Sequence, residues 1–414
     1  MEEYFRHTHC RYCQSDQLIS ILDLGEHPPS DSFIFSKEIE TEKRYPLELF
    51  YCENCFLLQL LDVVSPKQLF GGEFLYQSST SGALRNHYTL LTEMLTQRFE
   101  VSSGDTVVDI GCNDGIILNA YRTEGLNTVG IEPSDLADIA RGHGHHIYRE
   151  FFNQDCAKKI ISTFGPVKVA TATNVFPHVD QIRDFVEGIR ELIGFQGIFV
   201  IEASYMPDFI DQTLFDTIYH EHLCYLTLTP LKHFLEPLGL EVFDVERASV
   251  GASGPAIRIL IQQYSGQQSI SPNVDKFLSF EKEWGISNIE KYRSFTDRVK
   301  SAKSDIRKLL DEFKSSQVEV GGYGAPAKGN TLLNYLEADP SIIAYIADNN
   351  PLKQGKVTPG SHIPVISDQE FLDKKPSHAL LLAWNYLDFF LKNSEYIKKG
   401  GKFIVPLPSP KILP

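Results

Sequence analysis

Residues 105–134, DTVVDIGCNDGIILNAYRTEGLNTVGIEPS, carry the strongest fold signal in this chain. The stretch begins with the apolar, β-branched run 106–110, which is typical of a buried parallel strand. A tight turn at 111–115 follows, and then come a helical pattern and a second strand at 128–131 that ends in Glu132. A strand, a turn, a helix and another strand in this order predict a βαβ unit of an α/β domain.

The turn at 111–115 has the composition of a ligand-binding loop. Its two glycines allow a backbone to come close to a ligand that a Cβ would block, and Glu132 suits the paired hydroxyls of a ribose. The spacing D-x-G-x-x-x-G differs from the G-x-G-x-x-G that binds a pyrophosphate, which Asp109 and Asp114 would repel. These features favour a ligand with an adenosine ribose and a positive centre, and S-adenosylmethionine (SAM) is the candidate.

The loop resembles the first motif of the class I SAM-dependent methyltransferases, although an ordinary glycine turn in another α/β domain is the alternative. The predicted SAM-side residues are Asp109, Gly111, Asn113, Gly115, Glu132 and Asn174. Asn174 and His178 follow a further predicted strand at 167–172. Ligands of open α/β sheets bind at the carboxyl ends of strands, so both residues are expected to line the pocket. A lone histidine is, however, often structural.

Length and composition restrict the class of protein. A chain of 414 residues is too long for one core and predicts two or three domains. Hydrophobic and charged contents of 42% and 22% are typical of a soluble globular protein. The net charge of −15 argues against nucleic acid or an anionic membrane as a partner. The chain has neither an apolar run of roughly 20 residues nor a signal-peptide pattern, so a cytoplasmic enzyme is expected.

Four of the seven cysteines form two C-x-x-C knuckles, Cys10 with Cys13 and Cys52 with Cys55. Four thiolates can make a closed tetrahedral Zn²⁺ site, which leaves no open position for catalysis and therefore serves stability. The long gap between the knuckles predicts a small strand-rich insert. A redox-active C-x-x-C is the alternative, but neither knuckle has a thioredoxin-like context.

Two further stretches are rich in groups that can act on a substrate. The hydroxyl-rich stretch 71–81 contains Tyr76, and it is either a lid over the SAM pocket or a polar connector that caps the next helix. Residues 219–225, YHEHLCY, hold two imidazoles, a carboxylate and two phenols. Their spacing excludes an H-E-x-x-H zinc site, and periodicity does not decide between helix and strand. The stretch is either a polar interdomain segment or a histidine general base with an orienting carboxylate.

The C-terminal part of the chain repeats the βα pattern with a basic loop. A short strand at 318–320 leads into the glycine-rich stretch 321–330, GGYGAPAKGN, and then into a helix. N–H groups at a helix start, together with Lys328, could hold a phosphate or diphosphate; a plain connector is the alternative. Further strands are predicted at 343–346, 379–383 and 403–406. This pattern predicts a second Rossmann-like domain, and nicotinamide binding is a weak prediction because G-x-G-x-x-G is absent.

In combination, these motifs resemble one family over nearly the whole chain: the bacterial C-methyltransferases that act on nucleotide-linked 4-keto deoxysugars. The motifs are C-x-x-C…C-x-x-C, D-I-G-x-N-D-G, N-V-F-x-H, Y-x-E-H, G-Y-G-A-x-A-K, D-N-x-P-x-K-Q-G…T-P-G-S-H-I-P and A-W-N. The resemblance implies an α/β protein with three parts. They are a zinc-binding module (1–66), a class I SAM methyltransferase domain (67–262) and a C-terminal Rossmann-like nucleotide-sugar domain with a helical linker (263–414).

The resemblance also implies a reaction and its residues. The implied active-site residues are Tyr76, His178, Tyr219, Glu221 and His222, and the implied substrate-binding residues are Tyr323, Lys328 and Asn385. The substrate would be a dTDP-linked 4-keto-6-deoxy sugar. His222 or Glu221 would remove the proton on C3, next to the ketone, and the enolate would take the methyl group of SAM. His220 and Tyr386 depart from the Asp and His found in relatives.

Two other functions share part of this pattern. An O- or N-methyltransferase would have the SAM loop, but it has less need of a strong base or of a second Rossmann-like domain. A non-enzymatic zinc scaffold that binds nucleotides would leave the 219–222 cluster unexplained. The oligomeric state is open, and a monomer is compatible with the sequence.

Overall fold

The computed structural model describes residues 3–71, 77–248 and 256–414. Within these ranges the strands form a two-stranded, a four-stranded, a seven-stranded and a six-stranded sheet. No helix in the same ranges is both long and apolar enough to cross a membrane.

The N-terminal part is built from short antiparallel strands. They are β1 (Tyr4–Arg6), β2 (Leu18–His27), β3 (Tyr45–Cys52), β4 (Leu58–Leu60) and β5 (Asp62–Val64). Strands β2, β3 and β4 form a meander, which confirms the strand-rich insert between the knuckles. Because Leu18 pairs with Cys52, the chain just after the first knuckle lies beside the second knuckle. Helices α1 (Pro66–Phe70) and α2 (Gly82–Arg98) follow.

The central part is a doubly wound sheet. Its strands are β6 (Thr106–Ile110), β7 (Asn127–Ile131), β8 (His146–Tyr148), β9 (Val169–Thr173), β10 (Ile198–Ser204), β12 (Leu240–Ala248) and β13 (Ala256–Gln263). A short strand in the same part of the chain, β11 (Cys224–Tyr225), lies outside this sheet. The order is β12-β13-β10-β9-β6-β7-β8, and β13 alone among these runs against its neighbours. The helices are α3 (Ile116–Ala120), α4 (Leu136–Gly142), α5 (Gln154–Phe164), α6 (Ile182–Ile193), α7 (Met206–Asp211) and α8 (Leu228–Leu235). The predicted βαβ unit is confirmed.

The strand outside the central sheet, β11, joins the N-terminal module instead. It pairs with β4, so that the four-stranded sheet has the order β11-β4-β3-β2. The segment just before β11 is the 219–222 cluster, which is therefore held between the central sheet and the N-terminal module.

The C-terminal part is a second doubly wound sheet. Helices α9 (Pro272–Trp284) and α10 (Ile289–Ser315) lead to β14 (Val320–Tyr323), β15 (Ile346–Ala347), β16 (Val365–Ile366), β17 (His378–Leu381), β18 (Lys402–Val405) and β19 (Lys411–Leu413). The order is β16-β15-β14-β17-β18-β19, parallel up to β18. The remaining helices are α11 (Ala327–Tyr335), α12 (Asp368–Lys374), α13 (Leu387–Asn393) and α14 (Glu395–Lys398). The second Rossmann-like sheet is confirmed, although β15 begins later than predicted.

One apolar core runs through all three parts. Leu47 of the N-terminal meander, Ile110 of the central sheet, Ile306 of α10 and Leu380 of the C-terminal sheet belong to the same cluster of buried side chains. Burial of apolar surface stabilises by about 25 cal/mol per Å². Shared burial of this kind therefore holds the three parts against one another around the site.

Candidate active site and zinc centre

The SAM loop begins at Asp109, near the carboxyl end of β6. The Asp109 side chain is buried and accepts a hydrogen bond from the Thr171 hydroxyl at 2.6 Å. Burial raises the pKa of Asp109 to about 7, against the opposing effect of that hydrogen bond. A group that resists ionisation in this way favours a nearby cation, because a positive charge stabilises the carboxylate form.

Both glycines of the loop are required by geometry. Gly111 has φ +68°, and a Cβ there would lie 2.4 Å from Cγ2 of Val175. Gly115 has φ +85° and precedes the first turn of α3. Asn113 also adopts positive φ, at 54°, which Asn tolerates better than most residues. The loop is therefore held close to the 174–175 segment, which brings Asn174 to the same place.

Glu132 lies at the tip of β7 and is fixed by the loop itself. One of its carboxylate oxygens accepts the Asn113 N–H at 2.9 Å, and the other accepts the Ser134 N–H at 2.9 Å. A carboxylate has about four lone-pair sites, so lone pairs remain for two ribose hydroxyls. Asp114 adds a third carboxylate, whose Oδ1 has no hydrogen-bond partner among the described residues. This acidic cradle fits SAM, which carries a ribose and a sulfonium charge.

The stretch after Tyr76 lies over this cradle. The Ser78 N–H donates to Asn113 Oδ1 at 2.9 Å, and the Ser79 N–H donates to Asp114 Oδ2 at 3.2 Å. Ser81 also caps α2 through its hydroxyl, which accepts the Leu84 N–H at 3.4 Å. The 77–81 segment thus both covers the loop and caps the helix. Tyr76 itself lies outside the described residues, so its role stays a prediction.

Three of the predicted catalytic side chains meet in one stack of rings. His178 lies in a short 3-10 turn, Phe176–His178, and its ring stacks on His222 at a centroid distance of 5.1 Å and on Phe70 at 5.6 Å. The Tyr219 ring lies 3.9 Å from His222 on the centroids. Segments far apart in the chain therefore converge on His222.

The 219–222 segment is a turn. The residue pattern did not decide between a strand and a helix here, and the segment forms neither. The His222 N–H closes this turn on the Tyr219 carbonyl at 2.8 Å. The His222 side chain places Nδ1 2.7 Å from the Thr217 carbonyl. A carbonyl only accepts, so Nδ1 carries the hydrogen and Nε2 keeps a free lone pair. Burial lowers the pKa of His222 to about 4, so the ring is neutral at pH 7.

The side chains of Glu221 and His220 lie in different surroundings. Glu221 is 7% exposed, and its Oε2 has no partner among the described residues. Burial and the nearby Asp31 carboxylate raise the pKa of Glu221 to about 8, so it is protonated at neutral pH. His220 faces the N-terminal module, where its Nε2 lies 3.2 Å from the Pro46 carbonyl. Sequence patterns alone missed Asp31, which lies in the loop after β2.

Lys328 lies in the first turn of α11 rather than in a loop, which corrects the predicted helix start. Its Nζ is buried, lies 4.0 Å from the centre of the Trp384 ring and has no hydrogen-bond partner among the described residues. Burial lowers the pKa of Lys328 to about 8, although Asp216 opposes this change. Asp216 accepts a 2.7 Å hydrogen bond from Trp384 Nε1. The second Asp216 oxygen and the Asn385 Oδ1 have no hydrogen-bond partner in the part of the chain that the structure describes.

These unpaired groups lie at the carboxyl ends of β14 and β17, where the strand order of the second sheet reverses. Ligands of doubly wound sheets bind in the crevice at such a point. Tyr323 has a different environment: its ring packs against Phe371, Phe390 and Phe403, and its hydroxyl accepts a hydrogen bond from Ser394 at 3.3 Å. The structure thus groups Lys328 and Asn385 and places the Tyr323 ring in an aromatic core.

The four knuckle cysteines form one cluster. The sulfurs of Cys10, Cys13, Cys52 and Cys55 all lie within 4.8 Å of one another, with 3.5 Å for Cys10–Cys55 and for Cys13–Cys52. A tetrahedral Zn²⁺ with Zn–S bonds of about 2.3 Å requires sulfur–sulfur separations of roughly 3.8 Å. Four thiolates in this arrangement fit a closed zinc site, and the described residues offer no other such cluster.

Three family models match the chain. A domain described as zinc binding covers residues 10–70, a methyltransferase domain covers 84–245, and the C-methyltransferase C-terminal domain covers 251–408.

Individual proteins also resemble the chain. C-methyltransferase NovU from Streptomyces niveus is 31% identical over 98% of this chain and 96% of its own. The mitochondrial ubiquinone biosynthesis O-methyltransferase of Schizosaccharomyces pombe is 26% identical over 37% of this chain and 53% of its own. A solved SAM-dependent methyltransferase from Clostridium acetobutylicum is 12% identical, with a TM-score of 0.34 over 44% of this chain and 92% of its own.

The doubly wound sheet and the family matches define a class I SAM-dependent methyltransferase. The four-cysteine cluster and the matching domain model give it a zinc-binding N-terminal module. Within that class the chain belongs to the C-methyltransferase family represented by NovU, because the identity extends over nearly the full length of both chains.

Proposed function

We propose that this enzyme methylates carbon C3 of a dTDP-linked 4-keto-6-deoxy sugar. The observation that carries the proposal is the state of His222: a half-buried neutral imidazole whose Nδ1–H is tied to a backbone carbonyl and whose Nε2 has no partner among the described residues. A general base must be neutral at the working pH and must offer a nitrogen that can accept the proton. C-methylation needs such a base, since a carbon next to a ketone becomes nucleophilic only when it loses a proton.

The choice between His222 and Glu221 follows from their protonation. At pH 7 the Glu221 carboxyl carries its proton, because burial raises its pKa to about 8. His222 is therefore the group that takes the C3 proton, through Nε2. SAM supplies the electrophilic methyl group when bound. The loss of the proton leaves negative charge on the C4 oxygen, which needs hydrogen-bond donors.

Tyr219 and Glu221 are donors of the required kind. Burial holds the pKa of the Tyr219 phenol well above its usual value, so the phenol keeps its proton. The Glu221 carboxyl is protonated as well, and its Oε2 has no partner among the described residues. A donor aimed at a developing oxyanion contributes about 2–4 kcal/mol to transition-state stabilisation. His178 is neutral too, since burial lowers its pKa well below the usual value, and its ring supports His222 by stacking.

The nucleotide diphosphate is assigned to the crevice of the second sheet. Lys328 offers an ammonium that has no hydrogen-bond partner among the described residues. It lies at the start of α11, whose first N–H groups also favour an anion. Asn385, in the 3-10 turn after β17, has an Oδ1 without a partner among the described residues and an amide N–H₂ that can donate to a phosphate oxygen. A buried group without a partner costs about 1–3 kcal/mol, and a bound substrate would recover that cost. The dTDP base and the C3 position rest on the family resemblance.

The test is product analysis with a labelled methyl group. The enzyme is incubated with a dTDP-4-keto-6-deoxy sugar and SAM that carries ¹³C in its methyl group, and NMR then locates the label. We expect the label in a methyl group on C3, whose protons correlate with ring carbons through two and three bonds. A label on oxygen or nitrogen would instead support an O- or N-methyltransferase. SAM that remains intact with every nucleotide sugar would contradict an enzymatic role toward these substrates.

A further inference from the structure

Arg11 occupies an unusual place for a charged residue, inside the first zinc knuckle between Cys10 and Cys13. Its side chain is almost completely buried, and the residue is only 5% exposed. A buried guanidinium has to be paired and hydrogen-bonded, because the desolvation of an unpaired charge costs several kcal/mol. Its partners therefore show what the knuckle is held against.

Two of those partners lie on the chain segments that carry the imidazoles of the candidate site. Nη1 of Arg11 donates to the Leu60 carbonyl at 2.9 Å and approaches the Leu223 carbonyl at 3.5 Å, while Nη2 lies 3.3 Å from Asp180 Oδ1. Leu223 directly follows His222 in the chain, and Asp180 lies two residues after His178. One guanidinium thus connects the two segments that carry the stacked rings.

The backbone around Arg11 reinforces the same connection. The Leu223 N–H donates to the Pro177 carbonyl at 2.9 Å, and the Leu60 N–H donates to the Leu223 carbonyl at 3.0 Å. The Arg11 N–H donates to the Gln59 side chain at 3.0 Å, which fixes the knuckle to β4. Each of these hydrogen bonds joins residues that lie in the N-terminal module or next to His178 or His222 in the chain. The zinc knuckle is consequently part of the framework that sets the distance between the rings.

We propose that Arg11 is a positioning residue for the methyl transfer, through which the zinc module holds the His178 and His222 segments in register. This inference rests on the proposed function, because it takes His222 as the base. The planar fork of Arg can reach a carbonyl and a carboxylate at once, and the single ammonium of Lys cannot match that geometry. The displacement of a catalytic group by about 1 Å can cost on the order of 10²-fold in rate.

The test separates positioning from stability by a readout of the base step alone. Substrate is incubated in D₂O with S-adenosylhomocysteine in place of SAM, and the exchange of its C3 proton for deuterium is followed by NMR. The variants are Arg11→Gln, Arg11→Lys and Asp180→Asn. Arg307→Gln is the matched control, since Arg307 also donates to two backbone carbonyls, of Leu336 and Glu337, but in the C-terminal part. Zinc content and SAM affinity are measured for each protein.

We expect Arg11→Gln to keep its zinc and its SAM affinity and to exchange the proton on the order of 10²-fold more slowly than wild type. Arg11→Lys should recover part of that loss, Asp180→Asn should be slowed as well, and the control should exchange like wild type. The proposal is overturned if zinc-loaded Arg11→Gln or Asp180→Asn exchanges at the wild-type rate. If Arg11→Gln does not fold, Asp180→Asn decides by the same criterion.

Two other outcomes also count against the proposal. If Arg11→Gln and Asp180→Asn lose zinc to the same extent as they lose proton exchange, Arg11 would be a determinant of metal retention only. A wild-type enzyme that neither exchanges nor methylates would refute the proposed function itself, and the positioning role would fall with it. That failure is visible before any variant is made, so the two cases are distinguishable.

Discussion

Replacement of Glu221 by Gln is expected to stabilise the fold at neutral and alkaline pH. The folded pKa of Glu221 is about 8, against a usual value of 4.5, because the carboxyl is buried and faces Asp31. Below pH 4.5 the folded and unfolded states both hold the proton, so the group has no effect on stability there. Above that pH the unfolded chain releases the proton and the folded chain retains it. Wild-type stability therefore falls as pH rises, until the folded group ionises as well.

The magnitude follows from the two pKa values. Each pH unit between them costs the wild-type protein about 1.4 kcal/mol, which gives roughly 3 kcal/mol at pH 7 and about 5 kcal/mol at pH 8 and above. Gln has nearly the same shape and is neutral at every pH, so Glu221→Gln avoids this cost. The stability advantage of the variant should be absent near pH 4.5 and should grow as pH rises to about 8.

The assay is denaturant or thermal unfolding of both proteins at about pH 5, 7 and 9. Glu202→Gln is the matched control: this carboxylate is also buried, but it is paired with Arg258 at 2.7 Å and with His87, so its replacement should destabilise at each pH. In parallel, turnover of Glu221→Gln should stay near the wild-type value, because the Gln amide N–H₂ replaces the carboxyl O–H as a donor. Glu221→Leu, which removes the donor, should lose about 10²-fold in turnover. A stability difference between Glu221→Gln and wild type that does not vary with pH would refute the reasoning.

Four other predictions concern separate parts of the site. His222→Asn should retain SAM binding and lose about 10²–10⁴-fold in turnover; a wild-type rate would assign the base elsewhere. Gly111→Ala should lose roughly 2–5 kcal/mol in unfolding free energy from positive φ and overpacking, and an added Val175→Ala should recover only the overpacking part. Cys52→Ser should lose bound zinc, measured by atomic absorption, and unfold at lower temperature; full metal content would contradict the four-thiolate site. Lys328→Met should raise KM for the nucleotide sugar and leave the Kd of SAM unchanged by calorimetry, and an unchanged KM would remove Lys328 from the diphosphate site.

Features encoded by neighbouring residues were predictable from the sequence. The turn at 111–115 follows its strand directly, and its glycines and acid are local properties of the chain, so the βαβ unit and its acidic turn could be inferred. Each C-x-x-C knuckle also places two thiolates side by side without help from the rest of the fold. The boundaries of short elements were less predictable. Lys328 was expected in a loop and lies in a helix, because tertiary packing extends α11 toward its N-terminus.

The sequence by itself therefore determined the class of enzyme, the cofactor and the metal module. The tertiary structure alone decided how the 219–222 turn works. The Nδ1–H of His222 is fixed by a carbonyl in a neighbouring turn, the proton of Glu221 is retained because of burial beside Asp31, and Arg11 ties both imidazole segments to the zinc knuckle. Burial and distance between groups far apart in the chain set these properties, and no local pattern of residues contains either quantity.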